Sequence, residues 1–250
     1  MGMIKTLDEI LIMKDVCKRT SVILNHLILA TKVGTTGLDI NSLAKKYFEA
    51  FSVESAFLNL YSFPAQLCIS VNEYIIHGIP NAVPFKDGDV VKLDIGAKYK
   101  GFFSDMARTF IIGKRLKPSH EMLIDANKKA LDLAIDVIKD GVETNEISKV
   151  IENYAKETEF GSVDSHGGHG IGQNLHEPPK IFNAIRPGQP NVILREGMTI
   201  CIEPQFTLGS GELTYQDGNK WMIKTKDGSV GAHFEDVILV LKDGAEVLTR

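Results

Sequence analysis

Apolar residues recur at helical spacing through Ile10, Met13, Val16, Cys17, Leu24, Leu27 and Ile28, which predicts one long helix over residues 6–32. Gly34 and Gly37 interrupt the pattern, and Ile40, Leu43, Tyr47 and Phe48 predict a second helix over 39–50. Residues 55–112 read as strands with turn signals at Asn72–Glu73, Pro80–Asn81 and Asp87–Gly88. Pro118 and Ser119 open a third predicted helix that Gly141 ends. Ile147, Val150, Ile151 and Tyr154 predict a fourth over about 145–158, and strands return from 165 onward.

Helix, helix, strands thus occurs twice, which points to an internal duplication. Residues 33–47 overlay 140–154 at an offset of 107, matching Gly34 to Gly141, Ile40 to Ile147, Leu43 to Val150 and Tyr47 to Tyr154. Residues 86–95 overlay 195–204 at an offset of 109, which sets Asp94 on Glu203. The expected class is α+β, with both halves built alike.

Composition narrows the function classes. A formal charge of −4 provides no basic field for nucleic acid and no polybasic membrane anchor. No apolar run approaches the ~18 residues needed to span a bilayer, and the N-terminus lacks the order of a signal peptide. The three cysteines, Cys17, Cys68 and Cys201, form no CxxC pair and leave one over from any pairing. They fit a reducing compartment, so a cytoplasmic protein is expected, with a monomer as the default.

Against that ordinary background, charge stands where strands should be apolar. Asp94 lies in KLDIG, Asp105 in FFSDMARTF, Glu203 in TICIEPQF and Glu235 in AHFEDVILVL, while His169 sits in the glycine-rich SHGGHGIG. A buried carboxylate is costly unless it is paired or binds a cation. Four carboxylates and a histidine in such segments point to divalent metal. If the chain folds back between Tyr99 and Lys100, residues whose numbers sum to 199 face each other, making Asp94 and Asp105 directly opposed. His169 and His176 are seven residues apart, about 23 Å along a straight strand. Gly170 and Gly172 permit the bend that would bring them together, with one on metal and the other displaced along a substrate. His77, in IIHGIP, repeats the His-Gly-Ile theme. HExxH, GxSxG, P-loop and GxGxxG motifs are absent, which removes the commonest zincin, serine-hydrolase, P-loop and dinucleotide readings.

Taken together, SVNEYIIHGIP, KLDIGAKYKGFFSDMARTF, GHGIGQNLHEPP, MTICIEP and FEDVILVLKDGAEVLTR resemble the methionine aminopeptidases, in particular the short bacterial type I form. The resemblance runs over essentially the whole chain. It implies the pita-bread fold, two pseudo-twofold halves of helices packed on a curved antiparallel sheet, as one catalytic domain over 1–250 with halves of about 1–112 and 118–250. It implies two divalent ions, Co²⁺, Mn²⁺, Fe²⁺ or Zn²⁺, with Asp94, Asp105, His169, Glu203 and Glu235 as ligands. Asp105 and Glu235 would bridge, Asp94 would complete one ion, and His169 with Glu203 the other. Glu203 would also shuttle a proton, while His77 and His176 would hold the substrate. The implied substrates are N-termini of nascent polypeptides with a small second residue.

Several positions depart from the family pattern. Phe57, Leu60 and Phe63 stand where bacterial type I enzymes carry a Cys and a pair of tyrosines lining the methionine pocket. Tyr61 stands where a histidine is common, Leu175 replaces a phenylalanine, and Asp236 replaces a histidine. Cys68 and Trp221 are retained. An apolar slot of altered shape is expected to accept neighbouring hydrophobic residues, since such slots discriminate by only ~1–3 kcal/mol per methylene. Alternatives are a same-fold Xaa-Pro aminopeptidase, which usually carries a large extra N-terminal domain, and a non-catalytic binding relative, which would lack ligands. Lys98, Lys100, Lys114, Arg115 and Lys117 suggest transient docking on the ribosome.

Overall fold

Three of the helices begin on reciprocal caps that the sequence writes three residues apart. The structure, a computed structural model describing residues 3–250, starts α1 (Leu7–Ala30) at Thr6. There the Glu9 N–H donates to the Thr6 hydroxyl and the Thr6 N–H to the Glu9 carboxylate. The same box opens α2 (Gly37–Ala50) with Thr36 and Asp39, and α4 (Thr144–Thr158) with Glu143 and Glu146. Each satisfies backbone donors that a helix start would otherwise leave unpaired. Between them α3 (Pro118–Asp136) opens on a proline in its first turn.

α3 stops short of the expected boundary. It ends at Asp136, and Gly141 lies in the following turn with φ +89°, its N–H donating to the Leu194 carbonyl. The turn therefore belongs to the junction with the second half's strands rather than to a helix cap. Residues 56–67 also differ from the strand reading. They form an irregular loop with a single short helical turn at Leu60–Ser62, in which Asn59, Tyr61 and Ser62 take φ of 67°, 48° and 70°. Phe57, Leu60 and Phe63 are three apart, not two, so their apolar run does not alternate as a half-buried strand would.

Strands Glu54–Ser55, Cys68–Val71, Val90–Tyr99 and Phe102–Ile111 make one antiparallel sheet. Five strands make a second, in the order Ala245–Val247, Asp236–Val240, Thr199–Ile202, Gly167–Gly170 and Glu177–Phe182. α1 packs on the long hairpin of the first sheet, and α3 and α4 on the strands of the second half. One apolar core gathers Met13, Leu24, Phe48, Leu93 and Ile95 around the first sheet; another gathers Leu123, Leu131, Ile147, Ile200 and Phe206 around the second. The sheets meet at the Ala107–Glu235 bridge, where each backbone N–H donates to the other residue's carbonyl.

The two halves repeat each other down to single hydrogen bonds. Gly34 donates to the Phe85 carbonyl and Gly141 to the Leu194 carbonyl; their φ angles are +88° and +89°. Bridges Thr36–Pro84 and Glu143–Ile193 occupy the same offsets of 107 and 109. Strand Val90–Tyr99 and strand Thr199–Ile202 begin 109 residues apart.

The hairpin register corrects the sequence reading. Tyr99 pairs with Phe102, so the turn is Lys100–Gly101, with φ of 47° and 83° at the two positions. Two positive φ angles are what a tight two-residue hairpin turn of matching twist requires, and the glycine at the second position accommodates one of them. Facing residues therefore sum to 201: Asp94 faces Ala107, and Asp105 faces Gly96. Asp94 and Asp105 share a face but stand diagonally, which leaves room between them that direct opposition would close.

Candidate active site

Each expected ligand is placed by a different piece of backbone. Asp94 and Asp105 come from the long hairpin, His169 from strand Gly167–Gly170, and Glu203 from the Pro204 break after strand Thr199–Ile202. Glu235 sits on the bridge between the sheets. The five side chains converge on one cavity of about 520 Å³. Carboxylate oxygens of Asp94, Asp105 and Glu235 lie within 4.8 Å of one another. Glu203 faces His169, with 3.9 Å between Glu203 Oε1 and His169 Nε2. His169 Nδ1 lies 2.9 Å from the Gly170 carbonyl, which as its acceptor leaves Nε2 free for a ligand bond.

Asp94 Oδ1, Asp105 Oδ1 and Glu235 Oε1 are buried without a hydrogen-bond partner among the described residues. Burial raises the Asp94 carboxyl to about 7. Burial, and then the neighbouring carboxylates, push Asp105 and Glu235 well above the ordinary range. Burial also works against ionisation of Glu203, but the His233 and His169 rings beside it hold its carboxyl down to about 2. Orphaned oxygens and mutually repelling carboxylates fit divalent cations bound among them. Cys68, opposite Asp94, and Cys201 belong to the same surroundings, yet burial pushes both thiols up, so neither offers a thiolate.

A stability consequence follows for the metal-free protein. Carboxyls whose folded pKa is raised contribute stability that is full below the unfolded value near 4 and lost as pH rises through the folded values. For Asp94 that loss is centred on about 7. Glu203 acts oppositely, but its contribution is lost only as pH falls toward about 2. The Tm of the metal-loaded protein minus that of the metal-free protein should therefore widen from about pH 5 to about pH 8. A gap independent of pH in calorimetry would contradict this cluster.

The substrate-side residues surround the same cavity. Phe57, Leu60, Tyr61, Phe63, Cys68, Leu175 and Trp221 line it together with His77 and His176. Phe63 meets Trp221 edge-on at 5.3 Å, and His77 meets Trp221 at 6.3 Å. Tyr61 is largely exposed at the rim. Gly96 explains part of the wall: a Cβ there would stand 2.7 Å from the Phe57 ring, so the missing side chain opposite Asp105 is what seats Phe57. The bend after His169 does bring its ring to 4.5 Å from that of His176, although His176 itself is exposed. His77 holds φ +56°, a left-handed conformation that few residues other than glycine adopt, and burial lowers its imidazole to about 4.

Two histidines in this cavity escaped the sequence reading. His166, in the same glycine-rich stretch as His169, stacks edge-on to His77 at 6.4 Å. His233 lies beside Glu203 and Glu235. The signal for His233 was present, since it precedes Glu235 by two residues in AHFED and alternation directs both to one face.

The model of metallopeptidase family M24 matches residues 12–242. The chain belongs to that family. Methionine aminopeptidase of Mycoplasma capricolum is 38% identical over 249 residues, covering 99% of this chain and 98% of that protein. The crystal structure of methionine aminopeptidase from Thermotoga maritima superposes with a TM-score of 0.94 at 36% identity, covering 99% and 98% of the two chains. Prolidase from Pyrococcus furiosus shares the fold, with a TM-score of 0.81 at 24% identity, but this chain covers only 65% of it. The M24 membership bears out the resemblance to methionine aminopeptidases, the pita-bread α+β class and an enzyme that depends on divalent metal. No helix among the described residues is long and apolar enough to cross a membrane.

Proposed function

We propose that the protein is a dinuclear metal-dependent aminopeptidase that removes the N-terminal methionine of nascent chains whose second residue is small. The observation that carries this reading is the adjacency, in one cavity, of five metal-ligand side chains and an apolar wall of Phe57, Leu60, Phe63 and Trp221. Ligands select the chemistry, and the wall receives an apolar side chain beside it. The whole chain then works as one catalytic domain, in the cytoplasm and as a monomer, with Co²⁺, Mn²⁺, Fe²⁺ or Zn²⁺ as the candidate ions.

Asp94, Asp105, His169, Glu203 and Glu235 would together hold the two ions, Asp94 on one side of the cluster and His169 with Glu203 on the other. When bound, the pair of ions lowers the pKa of a water and polarises the scissile carbonyl. Glu203, kept ionised by its histidine neighbours, would take a proton from the attacking water as its oxygen bonds to the carbonyl carbon, and return it to the amine as the C–N bond breaks. His176, on the open side of the cavity, hydrogen-bonds the carbonyl oxygen as charge develops. His77, fixed by its backbone and by Trp221, orients the amide. The wall side chains exclude water from the methionine side chain.

Release of Met from a Met-Ala peptide should disappear with chelator and return with Co²⁺ or Mn²⁺, and should exceed release from Leu- and Phe-initiated peptides. Faster turnover of Xaa-Pro substrates would favour the prolidase-type reading instead. Ribosome docking through the basic residues gains no support from the fold. Lys98 and Lys100 flank the hairpin tip, whereas Lys114, Arg115 and Lys117 follow the far end of strand Phe102–Ile111, about 30 Å away along the strand.

A further inference from the structure

His233 is a buried imidazole whose Nδ1 and Nε2 both lack a hydrogen-bond partner among the described residues. A polar ring left so costs free energy, and natural interiors rarely tolerate it without a function. Its surroundings supply two carboxylates at distances too long for hydrogen bonds. Nε2 is 3.6 Å from Glu203 Oε2 and 3.8 Å from Glu235 Oε2. Glu203 thereby lies between two imidazoles, one toward each oxygen, since His169 Nε2 is 3.9 Å from Oε1.

Those separations are slightly longer than those of atoms that share an ion. Two donors each about 2.1 Å from one cation stand about 3.0–3.5 Å apart, so a shift of a few tenths of an ångström closes the set. Glu203, His233 and Glu235 form one group with all donor atoms within 4.8 Å, while Asp94, Asp105 and Glu235 form another. The position of His233 is not left to chance. Its N–H donates to the Thr109 hydroxyl, which donates in turn to the His233 carbonyl, and its strand pairs with Gln205. Gln205 Nε2 in turn donates to Glu203 Oε2 at 2.9 Å, fixing the carboxylate that His233 faces.

We propose that His233 is a sixth protein ligand of the metal centre, binding through Nε2 the ion held by His169, Glu203 and Glu235. This rests on the metal-centre reading above and adds a second imidazole to one of its two sites. A site with two nitrogen donors prefers Co²⁺, Ni²⁺ or Zn²⁺ over Mn²⁺ more strongly than a site with one. The two ions would then differ in character, the Asp94 side all oxygen and the Glu203 side with two nitrogen donors.

The test compares the full-length protein with His233→Gln, which keeps a polar side chain of similar reach. Titration calorimetry of the metal-free proteins should show Co²⁺ affinity reduced about 10- to 100-fold in the variant, with Mn²⁺ affinity reduced less. Proton NMR of the Co²⁺-loaded proteins should show two solvent-exchangeable, paramagnetically shifted imidazole N–H resonances in the wild type and one in His233→Gln. The metal-free Tm checks that the variant folds, and His233→Asn supplies a second variant if it does not. Unchanged Co²⁺ affinity together with an unchanged resonance count overturns the sixth ligand. Absence of any metal binding by the wild type overturns instead the metal-centre reading beneath it.

Discussion

Glu203→Gln is expected to lower kcat on a Met-Ala peptide by about 10²- to 10⁴-fold while leaving the protein folded. The substitution keeps the shape and an oxygen that can still accept from Gln205, but removes the charge and the ability to take a proton. Neighbouring carboxyls are poorer substitutes, because burial holds Asp94, Asp105 and Glu235 at raised pKa values in the metal-free protein. Among the site's acids, only Glu203 is held in the ionised form by histidines on both sides. Calorimetric metal titration alongside steady-state kinetics separates the two losses the variant could suffer. A kcat within tenfold of wild type at saturating metal would remove Glu203 from the proton path.

The largest expected loss of stability comes from a residue that touches neither metal nor substrate. Asp236 is fully buried, and its carboxylate accepts from Arg108 Nη2 at 2.6 Å, Thr249 Oγ1 at 2.7 Å and Arg250 Nε at 2.8 Å. Arg108 also donates through Nη1 to the carbonyls of Ala107 and Glu235, the two residues of the inter-sheet bridge. Asp236→Ala strands a partly buried guanidinium at the joint between the sheets. Breaking a buried pair by removing one partner costs about 3–5 kcal/mol, and the water access that Arg250 retains argues for the lower end. Urea unfolding of the metal-free protein should show that loss, with a smaller one for Asp236→Asn, which keeps an acceptor for Thr249. A loss below about 1 kcal/mol would mean that the network is incidental.

That network also accounts for a departure noted in the sequence. An aspartate stands at 236 where the resemblance leads one to expect histidine, and it serves the frame behind Glu235 instead of facing the cavity. Much else was readable in advance. The four helices followed from their apolar periods, and the carboxylates that converge on the cavity stood out because they are placed where strands ought to be apolar. The duplication was readable because both halves retain the glycines and caps that start their elements, Gly34 with Thr36 and Gly141 with Glu143.

What was not readable has definite causes. The hairpin register hinged on whether Lys100 would accept a left-handed backbone, and a lysine gives no such signal, although Gly101 beside it does. Residues 56–67 present an apolar run whose spacing of three serves a loop wall, and its course depends on partners distant in sequence, the seat at Gly96 and the Asn41 side chain that accepts from the Gln66 N–H. His233 looked like one more strand residue because its meaning depends on Glu203, thirty residues earlier in the chain and adjacent only after folding.

The repeated framework carries a consequence for direction. Two identical halves facing one another would build a palindromic centre, unable to tell a peptide's amino end from its carboxyl end. An exopeptidase must make that distinction at every encounter. Here the backbone keeps its twofold likeness while the side chains abandon it. Asp94 answers to the longer Glu203, both imidazoles that face Glu203 come from the second half, and Phe57, Leu60 and Phe63 come from the first. Polarity of the substrate is thus read by the differences between two copies, and restoring their sameness would erase it.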